Sequence, residues 1–103
     1  MRKIENPLSL TPLEINYRCE GLKESQVEIL SHLMHGKSDS EIADMMGISA
    51  ALVRLRLAGA CDRIGVSRRA QLLVMYALWE FSKLRISKNS PEWELDYDKT
   101  TGL

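Results

Sequence analysis

Three helix-capping signals in a row, the first two helices closed by a glycine, constrain this chain more than any other feature. Ser38-Asp39-Ser40-Glu41 has the serine and, three residues on, the glutamate of a capping box. It opens a helix expected over 38–46, with Ile42, Met45 and Met46 as its apolar stripe, and Gly47 breaks it. Ser49 caps a helix expected over 50–64, in which Val53, Leu57, Ala60 and Ile64 share one face. Gly65 ends that helix, and Ser67 is placed to cap another over about 68–86. The first two, joined by Gly47-Ile48-Ser49, form a helix-turn-helix unit, in which glycine supplies the left-handed residue of a sharp reversal.

Upstream, Val27, Leu30, Leu33 and Met34 recur at helical spacing after Leu22, with Ile29 beside them and Gly36 as the stop. Earlier still, Thr11-Pro12-Leu13-Glu14 combines a capping box with proline at the first helical position, so a short helix over about 12–19 is expected. Leu13, Ile15 and Tyr17 alternate, which leaves a strand-like arm as the competing reading. The expected organisation is an N-terminal arm or short helix (1–21), a helix-turn-helix domain with a dimerisation helix (22–86) and an acidic tail (87–103). In the tail Glu92, Glu94, Asp96 and Asp98 alternate with Trp93, Leu95 and Tyr97. That pattern fits an edge strand, a segment that folds on a partner, or a solvated tail.

From Leu72 to Trp79 the last helix is apolar on every side, and Phe81 and Leu84 extend the pattern. A helix apolar all round is buried all round, which a domain this small does not easily achieve alone. One stripe is therefore expected on the helix-turn-helix and another, formed by Leu72, Met75 and Trp79, against a partner chain. The alternative cover is the N-terminal arm or the tail.

Several functions are excluded by what the sequence lacks. The start has no apolar signal-peptide core, and the longest apolar run is eight residues against the roughly 20 of a membrane helix. Cys19 and Cys61 form no C-x-x-C pair and read as reduced thiols in a cytoplasmic protein. His32 and His35 have no companion ligands at zinc spacing, so no metal is expected. No phosphate-binding glycine loop and no nucleophile elbow is present; neither an enzyme nor a cofactor is expected. Aromatic residues, at 6%, are too few for stacking platforms on single strands.

Charge is zero in total and segregated in detail. Residues 1–48 hold five positive and eight negative side chains, and residues 80–103 hold four and five. Between them, residues 49–79 hold Arg54, Arg56, Arg63, Arg68 and Arg69 against Asp62 alone. The positive block coincides with the second helix of the helix-turn-helix and the start of the next. That is the footprint of a groove-entering helix with phosphate-facing flanks.

These residues resemble a known family. Leu22-Lys23-Glu24-Ser25-Gln26-Val27-Glu28-Ile29-Leu30, Gly36 to Ala43, Met46-Gly47-Ile48-Ser49, Val53 and Ile64 to Leu72 look like the LuxR/GerE-type DNA-binding domain, over about residues 22–80. The resemblance implies an all-α, four-helix domain that reads the major groove with its third helix and dimerises through its fourth. Carried over by position, Arg54, Leu55 and Ala58 would face base edges, with Arg54 on a guanine and Leu55 on a thymine methyl. Arg56, Arg63, Arg68 and Arg69 would serve DNA binding from the flanks, with Arg56, Arg68 and Arg69 on phosphates. The family's usual cap at the first helix is Lys23 here, and its usual Lys-Thr opening of the third helix is Ala51-Leu52.

Two functions follow from this. The first is a small standalone transcription regulator, without a sensor domain, that binds duplex DNA as a homodimer through the fourth helix. The second is a protein-binding regulator that pairs with a LuxR-type activator or docks on RNA polymerase and binds DNA weakly or not at all. Its support is the apolar outer face of Ala51, Leu52, Leu55 and Ala58.

Overall fold

The N-terminal ambiguity is settled by a cap. Thr11 Oγ1 accepts from the Glu14 backbone N–H at 3.1 Å with Pro12 in the first turn, and a helix, α1 (Pro12–Cys19), follows. Leu13 and Tyr17, four residues apart, then share an exposed face while Ile15 turns into the core. The strand-like alternative is overturned: local capping outweighs a three-residue alternation.

The computed structural model describes residues 3–87 and the side chains of 3–83. The tail expected over 87–103 lies outside the described residues, except for Ser87 at the end of the last helix. After a single 3-10 turn (Pro7–Ser9), the chain runs through α1, α2 (Glu24–Met34), α3 (Asp39–Met46), α4 (Ala50–Ile64) and α5 (Arg69–Ser87), with no strand among the described residues.

Each boundary has a local cause. At α2 the cap position is Lys23, whose side chain has no acceptor. Gln26 supplies only the reciprocal half of a capping box, its Oε1 accepting from Lys23 N–H at 2.8 Å. At α3 the box is complete: Ser38 Oγ accepts from Glu41 N–H at 3.1 Å and Glu41 Oε1 from Ser38 N–H at 2.8 Å. Gly47, at φ +69°, reverses the chain in a conformation strained for any residue with a Cβ, and Ser49 Oγ caps α4 through Leu52 N–H at 3.1 Å. At α5, Gln71 Oε1 reaches back to accept from the N–H groups of Ser67 and Arg68 at 3.1 and 3.2 Å.

The helices converge on one core of Cys19, Ile29, Leu30, Ile42, Val53, Leu57, Ala60, Ile64, Val66, Leu72 and Met75. Leu72 and Met75 are 0% exposed. The expectation that they meet a partner chain is therefore corrected: they are interior side chains of the protomer. Trp79 is half-buried beside them, and its indole N–H donates to Asn16 Oδ1 on α1 at 3.1 Å. The physical reason is that the all-round apolar helix finds its second cover within the chain, because α1 packs along α5. What α5 leaves outward is a different line, with Ala70, Val74 and Phe81 exposed and Leu73 and Ala77 half-buried.

The N-terminal segment is also fastened to the end of α4. Ile4 N–H donates to Gly65 O at 2.6 Å, Arg18 Nη1 to Ile64 O at 2.7 Å and Lys3 Nζ to Val66 O at 3.4 Å. Three consecutive carbonyls that the helix end would leave open are thus satisfied. Arg18 is buried and also meets Glu14 at 3.1 Å.

Candidate nucleic-acid interface

The helix-turn-helix is α3 and α4, held at a fixed angle by shared core contacts and by the Gly47 reversal. Val53, Leu57, Ala60 and Ile64 bury one face of α4. The opposite face carries Ala51, Leu55, Ala58 and Asp62, all exposed, at spacings i, i+4, i+7 and i+11. Leu55 is 67% exposed. Arg54 is exposed on one flank of this line, and Arg56, half-buried, and Arg63, exposed, stand on the other.

Two ties fix α4 against α2 and the segment before it. Gln26, buried at the start of α2, donates from its amide to Arg56 O at 3.3 Å. The Arg63 guanidinium lies over Gly21, in space that a Cβ at position 21 would occupy. The expected site residues are not equivalent. Arg54, Leu55 and Ala58 stand on the outer face of α4. Arg68 is exposed in the turn before α5. Arg69 is engaged: it forms a two-pronged ion pair with Asp39 at the start of α3, at 2.9 and 3.0 Å. Its charge is offset and its paired donors are spent on joining α5 to α3, which sequence spacing of 30 residues gave no means to see.

The exposed side of α3 is acidic. Glu41 and Asp44 both face solvent. The Ser38 backbone N–H and then its hydroxyl hold the Glu41 carboxyl below its ordinary range, so it is ionised at neutral pH. The thiols shift in the opposite direction. Burial pushes Cys19 up to about 12, with a smaller opposing pull from Lys83, and burial beside Asp62 raises Cys61. Among the described residues no group of three His, Cys, Asp or Glu side chains is placed to hold a metal ion, and no helix is long and apolar enough to cross a membrane.

The geometry now has a family to be set against. The model of the bacterial regulatory proteins of the luxR family matches residues 21–76, which is α2, α3, α4 and the first part of α5. A search of curated proteins and one of solved structures each gave no match. The packed N-terminal segment, residues 3–20, lies before the matched span. With more than half of its length matched, and with the helix-turn-helix that the match requires in place, the chain belongs to the LuxR family of DNA-binding bacterial transcription regulators.

Proposed function

We propose that this protein binds duplex DNA by placing α4 in the major groove, and that it acts as a homodimer closed over the outer face of α5. The observation that carries the DNA half is the exposed line of α4, with Arg54 and Leu55 projecting from it and Arg56, Arg63 and Arg68 around it. Arg54 is assigned to base edges, Leu55 and Ala58 to apolar contacts there, and Arg56, Arg63 and Arg68 to phosphates. Arg69 acts indirectly, by holding α3 against α5. The site of action on this reading is the cytoplasm.

The dimer half is supported by Val74, 38% exposed, and Phe81, 60% exposed, on a helix whose other apolar stripe is already covered. A two-fold dimer presents its two α4 helices to half-sites about 34 Å apart. A gel-shift series on random and promoter duplexes tests the reading, with the mass of the free protein measured in solution. Binding is expected to weaken linearly in log–log form as salt rises, through release of counterions. No shift of any duplex at low salt defeats it.

One observation favours a second reading. The centre of the exposed α4 face is apolar, and the exposed side of α3 is acidic. A surface of that kind also suits a protein partner, either a LuxR-type activator or RNA polymerase. A purified mixture that forms a complex surviving high salt, from a protein that shifts no duplex, selects this reading over the first.

A further inference from the structure

We infer that α4 reads thymine: its outer face recognises the C5-methyl groups of a short thymine-bearing step, with one guanine set by Arg54. This rests on the proposal that α4 enters the major groove and names the sequence class it selects there. Ala51, Leu55 and Ala58 form one exposed line on the helix, and none of the three can donate or accept a side-chain hydrogen bond. The floor of the major groove offers polar edges at every base pair and a single kind of apolar group, the thymine methyl. A leucine and two alanines pressed on a G·C edge strip water from its amine and carbonyl and return nothing. On a thymine they meet a methyl.

The limits of the strip fix its reach. From Ala51 to Ala58 the helix rises about 10 Å, or roughly three base pairs. Beyond Ala58 the same line arrives at Asp62, exposed, whose carboxylate the phosphates repel. Arg54, exposed on one flank of the strip, has a planar fork that suits N7 and O6 of guanine. Arg56 and Arg63, on the other flank, supply the charge that keeps this apolar surface against a polyanion.

The full chain is first used to select duplexes from a randomised pool at low salt. Each thymine of the selected half-site is then replaced by deoxyuridine, singly and together, which removes only the methyl. At least one replacement in each half-site is expected to weaken binding roughly fourfold, the effect of one buried methyl. Leu55→Ala, at an exposed position that leaves the core intact, is expected to weaken binding to the thymine duplex and to abolish its preference over the deoxyuridine duplex. Arg68→Ala is expected to weaken both duplexes equally. Unchanged binding to the all-deoxyuridine duplex overturns the inference and leaves DNA binding standing. Retention of no duplex at low salt overturns both.

Discussion

Helices α4 and α5 each show solvent a line of residues at the same spacing, and the two lines ask for different partners. On α4 it is Ala51, Leu55, Ala58 and Asp62; on α5 it is Ala70, Val74, Ala77 and Phe81. The first is apolar at its centre but flanked by Arg54, Arg56 and Arg63 and ended by a carboxylate. Two copies of it brought together oppose like charges, whereas a polyanion neutralises them. The four side chains of the second carry no charge, so a second copy of the same four opposes no like charges. Exposed apolar area alone does not name a partner; the charges beside it do.

The largest expected effect tests which stripe of α5 belongs to the core. Leu72→Ala or Met75→Ala, at 0% exposure, is expected to cost about 2–5 kcal/mol, seen as a lower thermal midpoint at every protein concentration. A midpoint unchanged at high concentration and lowered only on dilution would instead put these side chains between subunits. Next in size is a charge on the outer line. Val74→Glu or Phe81→Glu is expected to halve the mass in solution while the helix content stays intact, and to weaken DNA binding through loss of the second half-site. If the mass is already that of one chain in the unaltered protein at micromolar concentration, the contrast between the two helices fails on the α5 side.

How this contrast was readable in the sequence differs by element. Helix boundaries were legible because caps are local: Thr11, Ser38 and Ser49 each act on an N–H three residues away. The inward face of α4 was legible from period alone. The partition of α5 was not, since three apolar stripes on one helix carry no label for which is covered. Deciding it takes Asn16 meeting Trp79 and Cys19 packed against Met75, pairs 63 and 56 residues apart. The charge of the site was legible as a block of arginines, but not that Asp39 occupies one of them. Equally hidden was Gln26 on the Arg56 carbonyl, because a lone glutamine at a helix start reads first as a cap.

The arginines sharpen the comparison on the α4 side. Arg54→Ala is expected to cost about 1–3 kcal/mol in DNA affinity and to relax preference at one base pair. Arg69→Ala is expected to leave the slope of affinity against salt nearly unchanged, because that charge is already paired with Asp39. Its effect falls on stability instead, up to about 1 kcal/mol for a partly exposed pair. Titrations of both variants against one duplex at several salt concentrations separate the two roles. A loss of slope in Arg69→Ala equal to that in Arg68→Ala would return Arg69 to the phosphates.

The smallest expected effect concerns the acidic front of α3, the counterweight to the arginines of α4. The Glu41 carboxyl is held below its ordinary value because the Ser38 backbone N–H and hydroxyl bond to it. A carboxyl with a depressed folded pKa stabilises the fold above its unfolded value, ordinarily 4.5, and that contribution is lost as pH falls through the folded value. Glu41→Gln keeps an oxygen for the Ser38 N–H and removes the charge. Its stability is therefore expected to vary less with pH below about 4.5 than that of the unaltered protein, as followed by thermal midpoints in an acid series. At neutral pH the same substitution is expected to raise DNA affinity about two- to threefold at low salt, with the gain fading as salt approaches 0.15 M, where the screening length is about 8 Å. A gain that persists at high salt would mean that Glu41 touches the duplex directly rather than repelling it from a distance, and α3 would then share the reading surface with α4.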